Sequence, residues 1–222
     1  MNFTPAERVG AVVVAVATPC VIIGFSVLVF LNPIWVGFEQ DRSDVARLTG
    51  YSATQVRQVT GSILSDLVFG PPTFTVPATV GGTPVLDARE RGHMTDVRTV
   101  MGQLAALAAA AALVLVVLGL YSRGRRWFWQ AASIGARALA VGVVAVGLAM
   151  TLAFDQVFEL FHELFFAPGT YMFDTTSEKL VQLFPDQFWS ETCIALSCVV
   201  LVLAAIVGVG GGRLATRREA QP

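Results

Sequence analysis

Four long apolar blocks constrain this chain more than any other feature of its sequence. They contain few or no charged residues and cover Ala11–Leu31, Val100–Tyr121, Ala131–Phe154 and Thr192–Gly210. Each is close to the roughly 20 residues that an α-helix needs to cross a hydrocarbon core of about 30 Å. Only 14% of the chain is charged, which is well below the charged fraction of a soluble domain. The sequence therefore predicts a single integral membrane domain over residues 1–222, with four transmembrane helices.

The distribution of charge predicts which connections face the cytoplasm. Basic residues lie before the first block, between the second and third blocks and after the fourth, at Arg8, Arg123, Arg125, Arg126, Arg213, Arg217 and Arg218. Cytoplasmic segments beside membrane helices carry such an excess of Lys and Arg. The connection over 155–191 is acidic, with Lys179 as its single basic residue. We expect both termini to be cytoplasmic and the two long connections, 32–99 and 155–191, to be extracytoplasmic. No basic run indicates a nucleic-acid partner.

The first long connection, 32–99, is predicted to form a small cap with its own structure. Ser52–Gln55 is a capping-box pattern, apolar residues follow at helical spacing over 56–67, and Gly70–Pro72 ends the helix. Apolar and polar residues then alternate around Gly81 and Gly82, which predicts a short β hairpin. The expected fold is an all-α membrane protein with four transmembrane helices, a cap of one helix and one hairpin, and an interfacial amphipathic helix.

That amphipathic helix is predicted in Val157–Trp189, the stretch that holds one of the two histidines of the chain. Glu159, His162 and Glu163 have the spacing i, i+3 and i+4, so they share one helical face, and phenylalanines fill the other faces. A helix of this kind lies at the bilayer surface. The phenylalanines either line a groove for acyl chains or anchor the helix in lipid, and both roles are compatible.

The other histidine, His93, precedes the second apolar block, and Asp96 follows it by three residues. This spacing allows Asp96 to orient the ring by accepting a hydrogen bond from it. His93 and His162 are both placed where an outer connection meets the bilayer. Because histidine has a pKa of about 6.5, it is the usual residue for proton transfer at physiological pH. We therefore predict that the two histidines meet on one side of the membrane and form an active site.

No other catalytic or metal-binding pattern is present in the sequence. Two histidines beside carboxylates would also suit a metal ion, but neither HExxH nor a comparable spacing occurs. Cys20, Cys193 and Cys198 all lie inside apolar blocks, where they are expected to be packing residues. We expect neither a metal nor a cofactor.

Two motifs resemble those of a known family. His93–Arg98 (HMTDVR) is similar to HM-x-DV-(K/R). Phe161–Phe166 (FHELFF), followed by Asp174 and by Phe184–Trp189 (FPDQFW), is similar to FHxLFF…D…FPxxF(F/W). Both patterns are typical of the bacterial four-helix integral membrane family that includes the lipoprotein intramolecular transacylase.

The resemblance implies a reaction and the residues that carry it. The sn-2 acyl chain of a diacylglyceryl-modified lipoprotein would move to the α-amino group of its own N-terminal cysteine, giving a lyso-form lipoprotein. The substrate and its lipid surroundings would be the partners. The catalytic acid and base would be His93 and His162, in either assignment, with Asp96, Glu163 and Asp174 in support. The residues expected to bind substrate are Phe158, Phe161, Phe165, Phe166 and Tyr171.

Two other interpretations stay open. One is a different extracytoplasmic enzyme for lipid esters that uses the same histidines, and the other is a non-catalytic membrane scaffold. The segment Ala167–Thr175 departs from the family pattern, in which Asn and Trp are usual after FHxLFF. We expect Pro168–Tyr171 to be the place where this protein differs from its relatives.

Overall fold

The computed structural model of the chain describes residues 4–71, 73–75 and 85–219. The described residues form helices and irregular segments, and they contain no β-strand. The helices are α1 (Pro5–Phe30), α2 (Pro33–Arg42), α3 (Val45–Thr49), α4 (Ala53–Val68), α5 (Ala88–Ser122), α6 (Arg126–Leu152), α7 (Phe154–Phe165), α8 (Lys179–Leu183) and α9 (Asp186–Glu219). The turn of the predicted hairpin, at Gly81 and Gly82, lies outside the described residues.

Four of the helices, α1, α5, α6 and α9, are long and apolar enough to cross a membrane. Each coincides with most of one apolar block, and α5 and α9 extend beyond their blocks at both ends. The 35 residues of α5 correspond to about 52 Å of helix, which exceeds a hydrocarbon core of about 30 Å. The first turns of α5, Ala88–Thr99, precede its apolar stretch and contain His93.

The chain forms two compact units. The first unit comprises Met1–Val27, Leu104–Leu148 and Ala195–Pro222, and the second comprises Leu28–Gln103 and Ala149–Ile194. Both histidines belong to the second unit. The single integral membrane domain expected from the sequence stays a prediction.

Close approach of helix backbones characterises the first unit. A Cβ atom added to Gly135 of α6 would lie 2.2 Å from the carbonyl oxygen of Ala15 in α1. A Cβ atom on Gly24 of α1 would lie 2.3 Å from the Cβ atom of Ala108 in α5. Small residues permit such contacts between membrane helices, where dispersion and interhelical hydrogen bonds replace the hydrophobic effect. Consistent with this, the Ser133 hydroxyl of α6 donates a hydrogen bond of 2.6 Å to the Gly208 carbonyl of α9.

The second unit has a buried core to which α4 contributes one face. The predicted capping box begins this helix: the Ser52 hydroxyl accepts from the Gln55 amide, and the Gln55 side chain accepts from the Ser52 amide. The apolar face then packs with residues of α5 and α8 in a cluster that includes Val56, Val59, Ile63, Met94, Leu180 and Leu183. The helix predicted in the first long connection is thus confirmed.

The sequence analysis did not predict α2 and α3. The start of α2 has a clear local cause, since the Asn32 side chain accepts from the amides of Ile34 and Trp35, and Pro33 occupies the first helical position. The buried Gln40 fixes the end of this helix. Its side chain donates to the Leu183 carbonyl and accepts from the Thr60 hydroxyl.

A buried carboxylate fastens the start of α5 to the first turn of α8. Glu90 is only 2% exposed, and its two oxygens accept 2.6 Å hydrogen bonds from the backbone amides of Leu180 and Asp87. Burial raises the pKa of this carboxyl group, while these hydrogen bonds act in the opposite direction. The segment after α7 is therefore held against the helix that carries His93.

Candidate active site

The two histidines come together in the second unit, as the sequence analysis expected. The ring centroids of His93 in α5 and His162 in α7 are 6.0 Å apart, and the ring planes are inclined by 26°. The residues between them in sequence comprise the rest of α5, all of α6 and the first two turns of α7, so only the tertiary fold brings the two histidines together. This arrangement places two imidazoles within reach of one small group.

A backbone carbonyl sets the orientation of His162. Its Nδ1 atom lies 2.8 Å from the carbonyl oxygen of Phe158, one turn earlier in α7. Because a carbonyl oxygen only accepts hydrogen bonds, Nδ1 must carry the proton that is donated. In the neutral ring, Nε2 then presents a lone pair. The half-buried His162 is therefore arranged as a proton acceptor.

His93 occupies a drier environment. It is 7% exposed, and its ring centroid lies 4.8 Å from that of Phe166 and 5.4 Å from that of Phe173. Its Nδ1 atom has no hydrogen-bond partner in the described part of the chain. Burial lowers the pKa of His93 to about 4, and the nearby His162 contributes in the same direction. His93 is thus a neutral imidazole at physiological pH.

This enclosure gives a pH prediction. We expect the NMR signal of His93, in detergent-solubilised protein labelled at histidine, to titrate with a midpoint of about 4. Since the folded state binds this proton less readily than an unfolded chain with a pKa of 6.5, the contribution of His93 to stability falls as the pH drops from 6.5 towards 4. The substitution His93→Gln assigns the signal, because it leaves a single histidine. A midpoint at or above 6.5 would contradict the dry enclosure.

The three carboxylates expected to support the histidines are placed differently from one another. Asp96 is exposed, and no hydrogen bond joins it to His93 among the described residues. Glu163 is exposed on α7. The pKa of Tyr171 is raised first by burial of its own side chain and second by the negative charge of Glu163. Asp174 organises the turn before α8 by accepting from the amide and the hydroxyl of Thr176. Of the three, Glu163 acts electrostatically on a residue beside the site.

The predicted substrate-binding aromatics surround His162. The ring centroids nearest to it belong to Phe158, at 4.4 Å, and Tyr171, at 5.1 Å. Those of Phe161 and Phe166 are both 5.5 Å away. Phe165 instead packs against Phe161, with ring centroids 4.9 Å apart. Four of the five residues therefore form the walls around this ring, and Phe165 extends the apolar surface outwards.

Three residues beside the site were missed by the sequence analysis. Phe173 contacts the ring of His93, Arg89 lies over the ring of Phe173, and Glu178 forms an ion pair with Arg89. Phe173 carried a signal, because it stands next to the motif residue Asp174. Arg89 and Glu178 are ordinary charged residues in the sequence, and only the fold pairs them.

The described part of the site does not have the ligand set of a metal centre. Among the described residues, no group of three or more His, Cys, Asp or Glu side chains is arranged to hold a metal ion. His93 is enclosed by aromatic rings, and the Nδ1 atom of His162 is engaged by a carbonyl. The arrangement suits proton transfer and hydrogen bonding to a polar group that enters between apolar walls.

Comparison with known proteins identifies the family. The model of the family "Lipoprotein intramolecular transacylase Lit" matches residues 12–189. The structure of the lipoprotein intramolecular transacylase Lit from Bacillus cereus is similar, with 18% sequence identity, a TM-score of 0.85, and coverage of 97% of this chain and 99% of that chain.

A structure of the same Bacillus cereus protein carrying a histidine substitution matches with 18% identity, a TM-score of 0.79, and coverage of 98% of this chain and 95% of that chain. At this identity the structures show that the fold is shared. A search of curated protein sequences finds no match. The matched family model covers most of the sequence, and the chain therefore belongs to the lipoprotein intramolecular transacylase family, whose members are membrane acyltransferases.

Proposed function

We propose that this protein transfers the sn-2 acyl chain of a diacylglyceryl-modified lipoprotein to the α-amino group of the same N-terminal cysteine. The observation that carries the proposal is the stacked histidine pair, with a centroid distance of 6.0 Å, in a chain of this family. One histidine is buried and neutral, and the other presents a free Nε2 atom. Both lie among aromatic residues that suit an acyl chain.

The reaction forms one bond and breaks one. The α-ammonium group first releases a proton to the surrounding water, because only the neutral amine is a nucleophile. The amine nitrogen then attacks the sn-2 carbonyl carbon, an amide bond forms, and the bond from that carbon to the glycerol oxygen breaks. Amine and ester belong to one molecule, so the site need only hold them in attack geometry. The amine loses a second proton, and the glycerol oxygen gains one.

His162 is suited to carry that proton. Its Nε2 atom accepts the proton from the attacking nitrogen and delivers it to the glycerol oxygen, so the histidine returns to its starting state. Glu159 and Glu163 lie on the same side of α7 as His162. The pKa of the adjacent Tyr171 is raised mainly by burial, and the charges of Glu163 and Glu159 raise it further. The same negative charges favour the approach of a substrate ammonium group.

His93 is suited to a different role. A neutral imidazole with a pKa of about 4 is a poor proton store, but its N–H group is a good hydrogen-bond donor in a dry site. It donates to the carbonyl oxygen of the ester as negative charge develops there. In this mechanism His162 transfers the proton, and His93 stabilises the negative charge on the ester carbonyl oxygen.

The surroundings of α7 support a site that opens to the membrane surface. This helix has no buried residue, and its apolar side chains are presented outwards, with Leu164 73% exposed. An amphipathic helix of this kind lies in the interfacial plane, where a lipid-anchored substrate is found. The basic connections on the opposite side support an extracytoplasmic location for this surface.

Mass spectrometry of a lipoprotein N-terminus tests the proposal. In a bacterial host that lacks lipoprotein N-acyltransferase, expression of this chain is expected to convert the diacylglyceryl cysteine into an N-acylated, lyso-form cysteine of the same total mass. Tandem fragmentation separates the two isomers by locating the acyl group. Persistence of a free α-amine on the reporter, with the protein present in the membrane, would refute the activity. Loss of activity with chelators would refute the metal-free mechanism.

A further inference from the structure

We propose that Arg89 is a positioning residue for His93, acting through the ring of Phe173 and held in place by Glu178. The inference rests on the proposed function of His93. It adds to the site a cationic residue that belongs to neither of the two motifs.

The contact from Arg89 to His93 passes through one aromatic ring. The Cζ atom of Arg89 lies 5.0 Å from the ring centroid of Phe173. Phe173 also contacts His93, with ring centroids 5.4 Å apart and an edge-on inclination of 65°. Arg89 precedes His93 by four residues in α5, so the two side chains share one face of this helix. The ring of Phe173 therefore contacts both the guanidinium group of Arg89 and the imidazole of His93.

Glu178 fixes the guanidinium group. The Nη2 atom of Arg89 forms an ion pair with Oε1 of Glu178, and the Glu178 side chain is only 13% exposed. The second oxygen of Glu178 accepts a hydrogen bond from the backbone amide of Asp174, the residue that follows Phe173. The same carboxylate therefore holds both the guanidinium group and the backbone that carries the aromatic ring.

His93 needs such support because no hydrogen bond fixes its Nδ1 atom. Metal-free catalytic histidines are commonly oriented by a carboxylate or a carbonyl on one nitrogen. Here the ring planes of Phe166, Phe173 and His162 define the orientation instead. His162 lies in the last turn of α7, and Phe166 directly follows this helix. Phe173 comes from the segment between α7 and α8, and the guanidinium group of Arg89 lies over its ring.

Two substitutions of Arg89 test the inference in the full-length protein. Arg89→Met removes the charge and retains an unbranched side chain, and Arg89→Lys retains a cation that can lie over the ring. We expect Arg89→Met to lower kcat by about 10- to 100-fold, because a small displacement of a catalytic group has effects of this size. KM should change little, since Arg89 does not touch the substrate. Arg89→Lys should recover part of the lost activity.

The titration of His93 provides a readout that does not depend on activity. In Arg89→Met, water gains access to His93, and the midpoint of its histidine NMR titration should rise from about 4 towards the ordinary value. Phe173→Leu keeps an apolar side chain but removes the ring, and it should shift both readouts in the same direction. Arg47→Met is the matched control, because Arg47 forms an ion pair with Asp44 on the surface and is 72% exposed.

The outcomes are distinguishable. A well-folded Arg89→Met protein with unchanged kcat and an unchanged His93 titration would overturn the inference, even when His93→Ala is inactive. Equal losses in Arg89→Met and Arg47→Met would overturn it as well, since the effect would then be a general one of surface charge. If His93→Ala itself stays fully active, the proposed function fails, and the titration still shows whether Arg89 positions the ring.

Discussion

Replacement of His162 by alanine is expected to lower the rate of acyl transfer by about 10²- to 10⁴-fold, the usual contribution of a positioned general acid–base. The loss follows from the geometry. The Nε2 atom of His162 is the proton acceptor left free by the hydrogen bond between Nδ1 and the Phe158 carbonyl. The measurement is the initial rate at which a synthetic diacylglyceryl lipopeptide is converted to its N-acyl isomer in proteoliposomes. His93→Ala is expected to cause a loss of at least about 10²-fold, because a charge-stabilising donor is removed.

Glutamine substitutions separate the two roles. A glutamine side chain can donate a hydrogen bond, but it cannot accept and deliver a proton near neutral pH. His93→Gln should therefore retain more activity than His93→Ala, whereas His162→Gln should be as inactive as His162→Ala. The reverse pattern would exchange the two assignments. Full activity in all four variants would leave the histidines without a catalytic role and would favour a scaffold.

The substitution Gly135→Val is expected to have the largest effect on folding. A Cβ atom at this position would lie 2.2 Å from the carbonyl oxygen of Ala15 and 3.0 Å from its carbonyl carbon. Since these are backbone atoms, neither can move without separating α1 from α6. Overpacking of a close contact costs about 1–3 kcal/mol, sometimes more. For a chain of this length, such a change corresponds to a fall in the melting temperature of roughly 2–12 °C.

A second glycine of the same helix supplies the control for this prediction. Gly142 of α6 is exposed and has no heavy atom within 4 Å of an added Cβ atom. Gly142→Val should therefore leave the melting temperature and the elution profile of the detergent-solubilised protein close to those of the parent. If Gly135→Val has the same melting temperature as Gly142→Val, then the close approach of α1 and α6 does not contribute to stability.

The helices were largely predictable because their causes are local. The four long helices follow from the length and apolar composition of their own segments. The start of α4 follows from a capping box in four consecutive residues, Ser52–Gln55. The start of α2 has an equally local cause, with Asn32 as the N-cap residue and Pro33 after it, although α2 was not among the predicted helices. The hairpin prediction relied on Gly81 and Gly82, which lie outside the described residues.

The site was predictable as a pair of histidines but not in its supporting contacts. Proximity followed from the two motifs, whereas the partner of His93 did not. Spacing placed Asp96 on a shared helical stripe, yet His93 turns into an aromatic enclosure and Asp96 stays in solvent. The contacts of Glu90 with Leu180 and of Arg89 with Glu178 join residues about ninety positions apart. Helical or strand periodicity carries no information about pairs at that separation.

The hydrogen bond between His162 and the Phe158 carbonyl orients one histidine within a single helical turn, so this orientation depends only on residues 158–162. Any α-helix with a histidine in the same rotamer reproduces it, whatever the rest of the chain contains. The orientation of His93, in contrast, requires rings from two other segments to be in register with α5. This chain and the Bacillus cereus protein share a fold at only 18% identity. In such distant pairs, we expect a substitution at one residue that packs on His93 to be accompanied by a substitution at another. The orientation of His162 places no such demand on neighbouring side chains, because its hydrogen bond uses only the backbone carbonyl of Phe158.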